Sequence, residues 1–241
     1  MNHSALLLLG AAAFACTIGL CRAGVYKDLA ECTTENVEKC GVDFVPYFGG
    51  NTLAVNAADL EKQCTEYQSQ LKCSDDFSVK CLDGLPKGTI LLMLRAARDE
   101  YDAICNVTSP RHQEYLKNVG CINKAGPSLT SCMNNLFVGL HRSAGKAADR
   151  LKIPYTCCYY ADFANCATSG LKTKCGDKEA EAFFDTIIQH VFGEVLDLAC
   201  GKYRAGSEAC KSLTPLPTVD DARAKDKGFI EPLTVIASKL G

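Results

Sequence analysis

The sequence predicts an all-α fold, two tandem disulfide-stapled helical bundles packed into one helical domain, and three observations carry that expectation. Its cysteines fall in two matching series. Its apolar residues recur at helical intervals between turn signals, and no segment alternates apolar and polar residues as a half-buried strand does. The first series is Cys32, Cys40, Cys64, Cys73, Cys81 and Cys105; the second is Cys121, Cys132, Cys157, Cys166, Cys175 and Cys200. Matched members lie 89, 92, 93, 93, 94 and 95 residues apart. Cys158 and Cys210 belong to the second series alone and bring the cysteines after position 23 to fourteen. Such a repeat specifies a cross-linked scaffold and a compartment. It does not specify a reaction.

The elements follow from caps and periodicity. Asn56 is placed to cap a helix on which Leu60, Cys64, Tyr67 and Leu71 share a face, with Asp59 in its first turn. Leu85-Pro86-Lys87-Gly88 reads as a break, after which Thr89 opens a helix carrying Ile90, Leu94, Ala97, Tyr101 and Ile104 on one side. Ser109-Pro110 starts a short helix, proline standing where its missing donor costs nothing. Gly126-Pro127 starts a long one expected to reach Leu151. Ile153-Pro154 interrupts, and the next helix passes Cys166 and stops at Ser169-Gly170. Asp177 caps the last long helix, where Phe184, Ile187, Ile188, Val191, Val195 and Leu198 form a wide apolar stripe. The segment from Val42 to Leu53, with Pro46, Gly49 and Gly50, is expected to be loop. The halves align outside the cysteines too: Tyr67 and Tyr160 each follow a matched cysteine by three residues. The predicted organisation is a signal peptide (1–23), a first helical half (24–112), a second (113–213) and a flexible C-terminal tail (214–241).

Helical register suggests the bridges. Cys32 and Cys40 are eight residues apart, as are Cys73 and Cys81, so an antiparallel hairpin would close Cys32–Cys81 and Cys40–Cys73 as two rungs. Cys64, nine residues before Cys73, points the other way around an ideal helix and should meet Cys105. The second half would pair Cys121–Cys175, Cys132–Cys166 and Cys157–Cys200, leaving Cys158–Cys210. The expected stop at Gly170 takes Cys175 out of register, and Cys157 and Cys158 are interchangeable on this reasoning.

Compartment comes next. An apolar stretch from Ala5 to Leu20 precedes Cys21-Arg22-Ala23, which reads as a secretory leader cut after Ala23, with Ala15 the other cleavage position. Export to an oxidising compartment explains so many cysteines, and would make the sequon Asn106-Val107-Thr108 usable for glycosylation. Removing Arg22 with the leader leaves 25 basic and 28 acidic residues, a charge of −3. With both signs interspersed, nucleic acid and anionic membrane are not expected partners. Beyond the leader no apolar run is long enough to span a bilayer, so no stable membrane insertion is expected.

Candidate chemistry is sparse. Cys157-Cys158-Tyr159-Tyr160-Ala161-Asp162 matches the Cys-Cys-x-x-His-Asp helix of secreted calcium-dependent phospholipases, except that Ala161 stands where the histidine must be. A methyl group accepts no proton. His112, His141 and His190 show no metal-ligand spacing, and neither a nucleophile elbow nor a phosphate loop is present. Asp75-Asp76 and Asp220-Asp221 fall at expected helix starts or in the tail. No catalytic, cofactor or metal residue is therefore assigned, and no enzyme is expected.

The stretches "LRAARDEYDAIC", "RHQEYLKNVGCINK", "CCYYADFANC" and "LACGKYRAGSEACKSL" resemble a group of arthropod cysteine-rich secreted proteins. These in turn resemble a secreted domain of unknown function abundant in nematodes, with members reported in spider silk, venom gland and haemolymph. The resemblance spans about Cys32 to Leu213 and implies an extracellular, disulfide-bonded helical protein without assigned catalytic residues. The cysteine-paired hairpin also resembles the coiled-coil-helix proteins of the mitochondrial intermembrane space, an address the leader argues against. The expected function is a secreted, non-enzymatic structural or interaction component of an extracellular fluid or material. A carrier of a small apolar ligand is the alternative, with Leu91 to Leu94 and Phe183 to Ile188 lining a cavity. An enclosed apolar cavity would favour the carrier; a filled core beneath an exposed apolar patch would favour a protein partner.

Overall fold

The computed structural model describes residues 25–48, 52–176, 178–218 and 228–240. The leader, the cap expected at Asp177, the side chain of Leu198 and the charged run from Asp220 to Lys227 lie outside the described residues. Nine α-helices occur among them: α1 (Thr34–Glu38), α2 (Ala57–Cys81), α3 (Gly84–Cys105), α4 (Pro110–Lys124), α5 (Gly126–Lys146), α6 (Lys152–Cys175), α7 (Lys178–Cys200), α8 (Glu208–Lys211) and α9 (Ile230–Ala237). A 3-10 turn at Asp149–Leu151 joins α5 to α6. No strand occurs among the described residues. The fold is all-α.

The caps explain several boundaries. Asn56 accepts a hydrogen bond from the Asp59 amide at 3.0 Å, and Ser109 accepts from the Arg111 amide at 3.1 Å with Pro110 beside it. Each satisfies a donor that the first helical turn leaves open. Three expected breaks are absent, for identifiable reasons. Leu85-Pro86-Lys87-Gly88 is the first turn of α3, and Ile153-Pro154 that of α6. Both prolines occupy the third helical position, where no carbonyl four residues back needs a donor, so they are tolerated. The third, Ser169-Gly170, lies inside α6, which continues to Cys175 and ends at Gly176 with φ 68°. Conversely α5 stops at Lys146, short of Leu151.

Gly170 permits a close approach. A Cβ there would lie 2.7 Å from Ser128 Oγ, and one at Gly139 would lie 2.3 Å from Tyr159 Cγ. These glycines let α5 and α6 pack tightly as an antiparallel pair. Gly139→Ala is expected to destabilise by about 1–3 kcal/mol, because overpacking against a ring base outweighs the roughly 1 kcal/mol of helix propensity that alanine adds. A thermal midpoint equal to or above that of the parent would contradict this packing.

The disulfides staple the helices. In the first half they join Cys32 to Cys81, Cys40 to Cys73 and Cys64 to Cys105. In the second they join Cys121 to Cys175, Cys132 to Cys166, Cys157 to Cys200 and Cys158 to Cys210. The first three bridges close loops of 49, 33 and 41 residues, and Cys121–Cys175, Cys132–Cys166 and Cys157–Cys200 close loops of 54, 34 and 43. The uninterrupted α6 holds Cys157, Cys166 and Cys175 on one rigid element, as α2 holds Cys64, Cys73 and Cys81.

The described part of the 42–53 segment, residues 42–48 and 52–53, is irregular but not superficial. Phe44, Tyr47 and Phe48 are buried, and Phe48 stacks on Phe137 of α5 with ring centres 3.9 Å apart. A buried loop must find partners for its backbone. Tyr101 donates to the Phe44 carbonyl, Tyr115 to the Ala54 carbonyl, and Asn123 both accepts from the Leu53 amide and donates to its carbonyl. Side chains of α3 and α4 thereby pin the loop against the core.

The C-terminal segment departs from the flexible tail expected for 214–241. Residues 230–237 form α9, whose Ile230, Pro232, Thr234, Ile236 and Ala237 are buried against α3, α5 and α6. Thr34 donates to Glu231 Oε2 at 2.8 Å, and Lys239 Nζ lies 3.0 Å from Asp149 Oδ2. Tyr155 donates to the Thr214 carbonyl. The charged composition of this segment suggests solvent, but its apolar residues at 229, 230, 233 and 236 form one face. The other helices leave an apolar site for that face.

Candidate functional site: an apolar interhelical cavity

The helices do not close into a fully packed core. Between α2, α3, α4, α5, α6, α7 and α9 lies a partly enclosed cavity of about 200 Å³. Its wall is almost entirely hydrocarbon. Leu94 and Met93 face it from α3, Leu136 and Leu140 from α5, Ile187 and Val191 from α7, and Leu233 from α9. Of the two stripes singled out in the sequence, Phe183, Phe184, Ile187 and Ile188 all reach the cavity. On α3, Met93 and Leu94 do so while Leu92 is exposed. The α7 side chains Ile187, Ile188, Val191 and Phe192 are only half-buried along that face. The bridge Cys157–Cys200 sits in the wall and ties the end of α7 to α6.

Polar groups on the wall are few and mostly satisfied. The Tyr101 and Tyr115 hydroxyls are engaged by the 42–53 loop and the residue after it. Burial raises the Tyr67 phenol to about 12, the Asp43 and Glu66 carboxylates adding to that, so all three remain neutral at ordinary pH. Glu100 is the one charged residue on the wall among the described residues. Its side chain is 7% exposed, and Arg111 Nε of α4 donates to its Oε1 at 2.6 Å while His190 Nδ1 of α7 meets its Oε2 at 3.0 Å. Arg111 also reaches Glu114 at 2.9 Å and lies 4.4 Å above the Phe183 ring. Burial alone would lower the Arg111 pKa; the hydrogen bonds to both carboxylates raise it instead. The cluster joins α3, α4 and α7 beside the cavity wall.

Thr156 contributes a second feature. Thr65, Thr173, Thr186 and Thr234 each donate to the carbonyl four residues back. The buried Thr156 Oγ1, on the cavity wall, has no hydrogen-bond partner among the described residues.

Other sequence-level candidates lie elsewhere. Asp162 of the phospholipase-like stretch is exposed, and Ala161 offers no base beside it. His112 is buried and donates through Nδ1 to the Ile104 carbonyl at the end of α3. His141 is half-buried on α5. Among the described residues no three His, Cys, Asp or Glu side chains gather as a metal site requires, and no helix is long and apolar enough to cross a membrane. Asn106 is exposed in the turn after α3, where its Oδ1 accepts from the Thr108 amide and hydroxyl. Sequence reasoning passed over Glu100 and Arg111. Their signal was present: Glu100 stands between Ala97 and Tyr101, a carboxylate on the border of an apolar helical face.

No family model, no curated protein and no solved structure matches this chain.

Proposed function

We propose that this chain is an extracellular, non-enzymatic binding protein that carries a small apolar ligand between its helices. The cavity of about 200 Å³ carries the reading. At roughly 24 cal/mol per Å³ a closed void of that size would cost about 5 kcal/mol relative to a filled core, an upper bound for a cavity that is partly open. A fold that keeps such a void gains from an occupant. Apolar cavities of about 150 Å³ stay dry and accept benzene, so the ligand here has on the order of eight to ten heavy atoms. Seven bridges suit long residence in an extracellular fluid or material, and glycosylation at Asn106 belongs to the same reading. So does membership of the arthropod cysteine-rich family. An exported protein of this kind works by equilibrium binding, with no reactive centre.

Thermal unfolding with added toluene or n-octane tests it. A ligand at about a hundred times its Kd stabilises the native state by about 2.7 kcal/mol, which raises the midpoint measurably. Ala97→Phe, which places a ring in the cavity from α3, should keep the helical signal and lose the response. Native mass spectrometry of the secreted protein should show a bound apolar molecule of low mass. No midpoint shift with either hydrocarbon or with the alcohol 1-octanol would refute the carrier reading.

A further inference from the structure

We infer that the ligand is not a pure hydrocarbon but carries one neutral hydrogen-bond donor, an alcohol or phenol hydroxyl, which it places on Glu100. This rests on the carrier reading and names the chemical class of the occupant. The Glu100 carboxylate is the single charge on an otherwise apolar wall among the described residues. An ionised carboxylate offers about four acceptor positions. Arg111 Nε and His190 Nδ1 use two of them, at 2.6 and 3.0 Å, from the α4 and α7 sides. Acceptor capacity therefore remains on the carboxylate of a residue that lines the cavity, where water has few other polar groups to hold it.

The surroundings select among ligand heads. A carboxylate head would meet a like charge and has no donor for Glu100. An ammonium head would join Arg111 at a carboxylate that already has its cation, and would leave water to do so. An ether or ketone only accepts, and Glu100 only accepts. A neutral hydroxyl donates one hydrogen bond to a charged acceptor and brings no charge of its own, while its hydrocarbon body fills the space between Leu94, Ile187 and Leu233. Thr156 Oγ1 is a second polar atom on the wall, without a partner among the described residues, which makes it the natural control.

The test uses the oxidised full-length protein and four probes of similar size: 1-octanol, di-n-butyl ether, n-octane and sodium octanoate, titrated by calorimetry near neutral pH. Octanol should bind about tenfold tighter than the ether, the margin expected of a hydrogen bond to a charged acceptor, and at least tenfold tighter than octanoate. Glu100→Gln should reduce the octanol-over-ether margin to about twofold, and Thr156→Val should leave it unchanged. The wild-type series decides the question even if Glu100→Gln fails to fold. Equal affinity for octanol and ether would overturn the inference while leaving the carrier intact, as would tightest binding of octanoate or loss of the margin in Thr156→Val alone. Failure of all four probes would remove the carrier reading itself.

Discussion

A chain ending at Thr218 should lose ligand binding by at least a hundredfold while remaining folded. The deletion removes α9, and with it Phe229, Leu233, Ile236, Ala237 and Leu240 from the cavity wall. It removes no cross-link, because the last bridged residue is Cys210. The remaining helices stay stapled, but the cavity becomes a water-filled cleft, and the hydrophobic gain of filling it disappears. Stability should fall too: Ile236, 4% exposed, is worth about 2–4 kcal/mol when truncated to alanine, and exposure of the surfaces on α3, α5 and α6 adds to that. Far-UV circular dichroism should retain most of its helical signal, with a lower midpoint and new binding of a surface dye. If the shortened chain bound octane or octanol as tightly as the parent, α9 would not be a wall of the site.

Reducing the disulfides should abolish the native fold. Each of the seven bridges closes a loop of 33 to 54 residues. Closures of that length stabilise by about 2–4 kcal/mol each, not additively, against a net stability for a typical domain of about 5–15 kcal/mol. Loss of all seven is more than the fold withstands, the more so because its interior contains a void. The reduced and alkylated chain should show no cooperative thermal transition and no ligand binding, and peptide mapping of the oxidised protein should recover no free thiol between Cys32 and Cys210. A reduced chain with a cooperative midpoint would show that the helices, not the bridges, carry the stability. The same comparison bears on compartment, since a fold that needs its bridges has to mature where thiols oxidise.

Much of this architecture is legible in the order of residues. Helical class, the caps at Asn56 and Ser109 and the extent of the apolar faces follow from local chemistry, because caps and 3.6-residue periodicity act within a few residues. Proline and glycine mislead. Pro86 and Pro154 read as breaks although both fall in first turns, where a missing N–H is harmless. Gly170 reads as a stop because its real role, close contact with Ser128, involves another helix. Glu100 illustrates the same limit for the site. It interrupts an apolar face visibly, yet nothing local shows that Arg111 and His190, 11 and 90 residues away, converge on it.

The chain's own letters therefore settled the helical class and the cross-linked character, since spacing and capping are properties of neighbouring residues. Three-dimensional packing alone decided that α9 folds back instead of trailing, that the apolar stripe of α7 faces a cavity, and that one charged residue lies on its wall. The physical reason is common to all three. Whether an apolar face meets a neighbour, a void or water depends on where distant helices come to rest, and that depends on shape and volume summed over the whole molecule rather than on any one segment.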